Sequence, residues 1–380
     1  MTAPLYLDHN ATTPVDPRVV EAMLPYLGEH FGNPSSAHAY ADAPRAALAR
    51  ARDQVAALLG ASGRIVFTGS GSEADNLAVR GAVLARPEDR RHVVTQRTEH
   101  PAVLAACDAL ARLHGVEVTS LPVDGEGLVD PGALEAALTP RTALVSIMYA
   151  NNETGTVQPV AELARAAHRH GALFHTDAAQ AAGKLPVDVT ALGVDLLTVV
   201  GHKMYAPKGI AALYVREGVE LEPVVYGGGQ EGGLRAGTEN VALAVALGAA
   251  AELAGAEADG GAHDRLRALR DRLHRRLADR LPGLVTLNGH PHRRLPNTLN
   301  LSIAGTRADA LLASTPELAA STGSACHAGM TEPSPVLTAM GLPPDRALAA
   351  VRLSLGRWTT EADVDRAADL LAGAVRGQLR

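Results

Sequence analysis

Ala172-Leu-Phe-His-Thr-Asp177 and Asp195-Leu-Leu-Thr-Val-Val200-Gly-His-Lys203 decide the fold. Each is a short apolar run rich in strand-forming residues, and each ends in side chains capable of chemistry: a carboxylate in the first, an imidazole and an amine in the second. Working outward, similar runs fall at Arg64 to Thr68, His92 to Gln96, Val116 to Leu121, Thr142 to Met148 and Ile210 to Val215. Longer Ala/Leu-rich stretches of helical character separate them. Strands alternating with helices predict an α/β unit whose mainly parallel sheet is covered by helices on both faces.

After Thr238 the pattern changes. Val241 to Ala256 reads as a buried Ala-rich helix, too weak and short for a bilayer span. Asp264 to Arg280 reads as an amphipathic helix with Leu266, Leu269, Leu273 and Leu277 on one stripe and its arginines on a solvated face. A strand at Thr298 to Ile303 and helices near Pro333 and Thr360 complete a smaller α+β unit. The expected division is a large domain of residues 15–258, and a small domain of residues 1–14 with 259–380.

The 380 residues carry 35 Lys and Arg against 41 Asp and Glu, a formal net charge of −6, so no overall field favours a polyanion and nucleic acid is not an expected partner. The first ten residues lack a basic n-region and an apolar h-region, which reads as cytoplasmic with no membrane partner. The two cysteines form no disulfide framework and each needs its own explanation. Cys107, among Ala and Leu, reads as a small core residue. Cys326 lies in Ser321-Thr-Gly-Ser-Ala-Cys-His-Ala-Gly329, a small-residue stretch expected to be exposed and mobile. No C-x-x-C or H-x-x-x-H spacing accompanies Cys326 and His327, so no metal is expected.

In open α/β sheets, ligands bind beyond the carboxyl ends of the strands. The residues there are Gly69-Ser-Gly-Ser72, Thr98-Glu-His100, Asn151-Asn-Glu153, Asp177 with Gln180, and Gly201-His-Lys203. Gly69 to Ser72 precedes a helix and offers backbone N–H groups to an anion, although such turns also serve simply as caps. Lys203 rides an apolar strand toward the crevice, where partial desolvation makes an amine nucleophilic. Asp177 either caps a helix or keeps a pyridine nitrogen protonated. His100 can cover a flat ring and exchange protons. Together these are the parts needed to hold pyridoxal phosphate, and their conjunction is far more specific than any one of them.

At this point the sequence resembles a known family along nearly its whole length. Tyr6-Leu-Asp-His-Asn-Ala-Thr-Thr-Pro14, Thr98-Glu-His100, Asn151-Asn-Glu-Thr-Gly155, His175-Thr-Asp-Ala-Ala-Gln180, Gly201-His-Lys203, Arg235-Ala-Gly-Thr-Glu-Asn240, Gly323-Ser-Ala-Cys326 and Val351-Arg-Leu-Ser-Leu-Gly-Arg357 are similar to the motifs of NifS/IscS-type cysteine desulfurases, within the class V aminotransferase group. The resemblance implies a homodimer of the aspartate-aminotransferase fold, the fold type I of pyridoxal-phosphate transferases. It implies a Schiff base on Lys203, His100 stacked on the ring, Asp177 at the pyridine nitrogen and Gln180 at the ring hydroxyl. Gly71, Ser72 and His202 would hold the phosphate, with Thr238 contributed by the neighbouring subunit. Asn152 would touch the cofactor and, with Arg352, the substrate carboxylate. Cys326 would accept the sulfur of L-cysteine as a persulfide, alanine would leave, and an acceptor such as an iron–sulfur scaffold or a tRNA-thiolation enzyme would take the sulfur. The small domain would carry both the cysteine loop and Arg352. Gly323-Ser-Ala-Cys326 is similar to the subgroup whose mobile cysteine serves many acceptors.

Two departures stand out. Val200 replaces a serine that in the family reaches the cofactor phosphate, and Gly232-Gly233 falls where many relatives have an arginine. The rival readings are a selenocysteine lyase, another class V aminotransferase-like enzyme, and a non-catalytic sulfur-relay scaffold; Cys326 argues against a transaminase, and Lys203, Asp177, His100 and Cys326 together against a scaffold.

Overall fold

A computed structural model describes residues 4–322 and 332–379. Twelve strands are present among the described residues: β1 (Leu5–Tyr6), β2 (Arg64–Thr68), β3 (His92–Gln96), β4 (Glu117–Leu121), β5 (Thr142–Ser146), β6 (Leu173–Asp177), β7 (Leu196–Val200), β8 (Ala211–Val215), β9 (Val285–Leu287), β10 (Thr298–Ile303), β11 (Leu318–Ala319) and β12 (Ala350–Ser354). Seven form one sheet in the order β2-β8-β7-β6-β5-β3-β4. Its pairs are parallel except those of β8, which runs antiparallel to both β2 and β7. Strands β3, β5, β6, β7 and β8 are buried at every residue, which is why they read as continuous runs rather than alternating ones.

Two apolar layers cover this sheet. One joins Val145, Phe174, Leu197 and Val199 to the helices Asp42–Leu58, Val160–Arg169 and Val241–Asp259. The other joins Val66, Val93, Leu144 and Leu196 to Leu77, Val79, Val103 and Leu110. The helix Val241–Asp259 is, contrary to expectation, long and apolar enough to cross a bilayer by length and composition. One face of it nevertheless packs inside the protein: Ala244, Leu247 and Ala251 lie in the core with Ala47, Ala51 and Val55.

The second unit is the antiparallel sheet β12-β10-β9, packed on the helices Ala262–Arg280 and Glu361–Gln378. Leu266, Leu269, Leu273 and Leu277 face this core as their spacing predicts. The arginines opposite are not simply solvated. Arg272 and Arg276 pair with Asp365, and Arg280 with Asp369, because two amphipathic helices packed side by side bring their polar borders together.

The beginning of the described chain bridges the two units. β1 pairs with β11 and Asp8 bridges to Ser354. A few residues later Thr13 N–H donates to the His202 carbonyl (2.9 Å) and Asp16 N–H to that of Tyr205 (3.0 Å).

Candidate active site

Asp177 is the last residue of β6, and the turn Gly201–Lys203 directly follows β7 on the neighbouring parallel strand, so one sheet edge delivers both. The turn is forced by sequence. A β-carbon on Gly201 would lie 2.8 Å from Ile210 Cγ2 and 2.9 Å from its carbonyl oxygen, so only glycine permits the close return of the chain. Tyr205, just beyond, has φ 66, a left-handed conformation rare for a tyrosine. It is held there by Thr13 Oγ1, which accepts its N–H at 2.8 Å, and by the Arg357 guanidinium 4.2 Å above its ring.

Lys203 Nζ donates to the carbonyls of Asn10 and Ala11, both at 2.7 Å. His202 Nδ1 lies 3.1 Å from Thr12 Oγ1, and burial followed by nearby cations pushes its pKa down to about 4. The segment Asn10 to Thr13 is thus one wall of the site, a role its residue types do not announce because Lys203 is bound by backbone carbonyls.

His100 caps the helix Pro101–His114: its Nδ1 accepts the Ala102 N–H at 3.2 Å. That bond requires an unprotonated Nδ1, so the proton of the neutral ring is on Nε2. Burial lowers the pKa of His100, as does the charge of Lys203, against the pull of Asp177. Asp177 accepts the Ala179 N–H at 2.8 Å, so it does form a turn cap; burial raises its pKa while His100 and Lys203 lower it. His100 and Asp177 thus each feel the other and the charge of Lys203, and all three follow the carboxyl ends of strands of the same sheet.

At the glycine-rich turn the anion cup is smaller than the sequence implies. Ser70 caps the helix by accepting the Glu73 N–H, and Gly69 N–H donates to Glu73 Oε2 at 2.9 Å. Gly71 and Ser72, at the start of the helix, remain. Arg235 binds Glu73 at 2.7 Å and ties the loop that carries the exposed Thr238 to this turn. The same loop is anchored from the other side by Arg52, which donates to both carboxylate oxygens of the buried Glu231 at 2.6 Å.

Arg352, on β12 and 1% exposed, enters from the second unit. It donates to the Asn152 carbonyl (3.0 Å) and to Asp8 Oδ1 (2.7 Å), so Arg352 and Asn152 do meet. Asn151, in contrast, is spent on its own turn, accepting the N–H groups of Glu153 and Thr154. Gln180 is buried beside Asn10, its Nε2 donating to the Asn10 carbonyl at 2.9 Å. Cys326 lies outside the described residues. Cys107 is a core residue, 1% exposed.

Comparison with known proteins decides among the readings of this arrangement. The family model described as Aminotransferase class-V matches residues 5–367. The chain belongs to the class-V aminotransferase family. It is 50% identical to a protein named cysteine desulfurase from Trichormus azollae over 370 residues, 97% of this chain and 92% of the relative. It is 48% identical to one named cysteine desulfurase IscS from Anaeromyxobacter dehalogenans, covering 99% of this chain and 93% of the relative. A solved structure described as a NifS-like protein superposes with a TM-score of 0.91 at 34% identity, covering 98% of this chain and 100% of the other.

The cofactor of this family is pyridoxal phosphate, and the residues present fit it. Asp177 is a buried carboxylate whose pKa burial raises, so it gains from a cationic partner such as a protonated pyridine nitrogen. Gly71 bares its backbone beside a helix start, where a β-carbon would crowd Val200. Lys203 supplies an amine at the same sheet edge, on the turn after the strand beside that of Asp177.

Proposed function

We propose that the chain is a pyridoxal-phosphate-dependent cysteine desulfurase that moves the sulfur of L-cysteine to its own Cys326 and releases L-alanine. The observation that carries this reading is the placement of His100, Asp177 and Lys203 at the carboxyl ends of strands of one sheet, with Arg352 reaching Asn152 from the second unit. Such a site combines an amine, an acid–base pair and a two-pronged carboxylate holder.

Lys203 would hold the cofactor aldehyde, Asp177 its ring nitrogen, Gln180 its ring oxygen, and Gly71, Ser72 and His202 its phosphate, with His100 and Asn152 against the ring. Bound there, pyridoxal phosphate supplies an electron sink for the substrate α-carbon. Arg352 and Asn152 orient the substrate carboxylate, which brings the α-proton to the Lys203 amine. His100 has one nitrogen for proton exchange, Nε2, since Nδ1 is committed to Ala102. The Cys326 thiolate takes the sulfur. In balance, L-cysteine and the Cys326 thiol give L-alanine and a Cys326 persulfide: the Cβ–S bond breaks with its electron pair left on carbon, where a proton completes the methyl group, and an S–S bond forms.

The large unit is read as residues 15–258 and the small one as 1–14 with 259–380, in keeping with their separate cores. The working form is read as a cytoplasmic homodimer in which Thr238 serves the partner's phosphate site; its exposure supports this. The sulfur passes to an acceptor protein such as an iron–sulfur scaffold or a tRNA-thiolation enzyme.

Single-turnover assay with L-cysteine tests the reading. Equal yields of alanine and protein persulfide are expected. Cofactor-loaded protein that forms neither would point to a scaffold, and turnover of selenocysteine alone to a lyase.

A further inference from the structure

Lys184 is buried, 7% exposed, yet among the described residues no carboxylate is bonded to it. Its Nζ donates instead to the backbone carbonyl of Gln180 at 3.2 Å and to the side-chain Oε1 of the same residue at 3.0 Å. A lysine amine offers only donors when charged, so the atom it meets must be the amide oxygen of Gln180. The NH2 group of Gln180 is thereby turned the other way, where Nε2 donates to the Asn10 carbonyl at 2.9 Å. That carbonyl also accepts from Lys203 Nζ at 2.7 Å. Two lysines therefore grip the ends of one short relay: Lys184 to Gln180, Gln180 to the Asn10 carbonyl, and Lys203 to that carbonyl from the other side.

We propose that Lys184 is a positioning residue for the cofactor: it holds the Gln180 amide with its NH2 group toward the site, as a donor for an anionic ring oxygen. This rests on the reading of Gln180 given above and deepens it. The folding of the chain alone does not call for an ammonium here, because burying one is expensive and an apolar side chain of similar length would fill the space. Burial pushes the pKa of Lys184 down to about 7, with the charges of Lys203 and Arg352 acting in the same direction. What the lysine adds is a donor aimed at Oε1. Nε2 carries two hydrogens and the Asn10 carbonyl takes one, which leaves the second for a ligand oxygen.

Room for a test exists behind Lys184, where a cavity of about 230 Å³ is lined by Lys184, Lys203, His9, Tyr205 and Arg357. Release of pyridoxal phosphate from the holoenzyme into a trapping apoprotein, and the absorption band of the bound cofactor, are measured for Lys184→Met, Gln180→Ala, the double variant and Lys184→Arg. Lys184→Met is expected to speed release about tenfold, the size of one charge-assisted hydrogen bond, and to shift the band. In the Gln180→Ala background the same substitution should change release by no more than about twofold, since the partner through which it acts is gone. Lys184→Arg, which keeps a donor and has the cavity to occupy, should restore most of the retention. Equal effects of Lys184→Met in both backgrounds, or none in either, would overturn the proposal. Lys184→Gln is the milder substitution if Met prevents folding, with the same pattern at smaller amplitude. Failure of the family reading itself would show separately, as wild-type protein without a bound-cofactor band.

Discussion

Val200 packs its side chain onto the α-carbon of Gly71: a β-carbon built on Gly71 would stand 2.6 Å from Val200 Cγ2. The neighbouring Val199 lies in the opposite direction, in the main core. Val200 therefore ends β7 facing the glycine turn that would hold the cofactor phosphate, in the place where the resemblance to the family implies a hydroxyl. A hydrogen bond to a charged group is worth roughly 1.5 to 3 kcal/mol. Val200→Ser is expected to slow cofactor release about tenfold with little change in melting temperature. Unchanged release with a lower melting temperature would mean that the valine serves packing alone.

The two cysteines should separate cleanly. Cys107 is enclosed by apolar neighbours, and burial, then Glu99 and Asp108, push its thiol up to about 12. It cannot supply a thiolate at neutral pH. Cys107→Ser should leave alanine formation nearly unchanged, and alkylating agents should spare Cys107 in the native protein. Cys326→Ser should abolish alanine formation while the protein still changes its absorption on binding cysteine. Survival of activity in Cys326→Ser together with its loss in Cys107→Ser would exchange the two roles.

Glu99 predicts a pH dependence of stability. Its Oε1 accepts from Met148 N–H at 2.5 Å and from Gln96 Nε2 at 3.0 Å, while Oε2 is buried and has no hydrogen-bond partner among the described residues. Burial above all, and then Asp177, raise its pKa from 4.5 to about 8. A proton on Oε2 is thus retained by the folded protein at neutral pH. Between pH 4.5 and about 8 the unfolded chain has lost this proton and the folded one has not, so the contribution of Glu99 is full below that window and falls as pH rises through it. Glu99→Gln imitates the protonated acid at every pH. The melting temperature of the variant relative to wild type should therefore climb from pH 5 toward pH 8. A constant difference across that range would show that Glu99 is ionised in the fold.

How far the sequence carries these arguments depends on what kind of atom does the work. Strands such as Arg64–Thr68 and His92–Gln96 stand where they are expected because β-branched and apolar residues cluster in them, and Thr298–Ile303 because Leu299, Leu301 and Ile303 alternate with polar residues and face one core. Lys203, Asp177 and His100 are legible because strand ends converge at one edge of a sheet. The Asn10 and Ala11 carbonyls are not: they lie more than 190 positions from the lysine they bind, and a carbonyl is common to every residue type. Lys184 resembles any surface lysine until Gln180 is seen beside it. The pairing of Glu73 with Arg235 likewise spans 162 positions, and only the folded chain shows that Glu73 also takes up the N–H of Gly69.

Thr238 allows a decisive test of a shared site. It is exposed on a loop held to the glycine turn through Arg235 and Glu73, and braced by Arg52 and Glu231. Thr238→Val alone should weaken cofactor retention without unfolding the chain, but that outcome fits a role within one subunit as well as a role across two. Mixed dimers separate the cases. One subunit carries Lys203→Ala, the other Thr238→Val, and each bears a different affinity tag so that the heterodimer can be isolated. If Thr238 acts across the interface, both defects fall in one site, and the other site joins an intact Lys203 to an intact Thr238. The heterodimer should then hold half of its cofactor as tightly as wild type does and form alanine at about half the wild-type rate. If Thr238 acts within its own subunit, the lysine variant has one dead site and the threonine variant one leaky site, and no tightly held cofactor remains. The release curve distinguishes them directly: a slow phase at the wild-type rate supports the shared site, and a single fast phase, or a chain that is monomeric and fully active, rules it out.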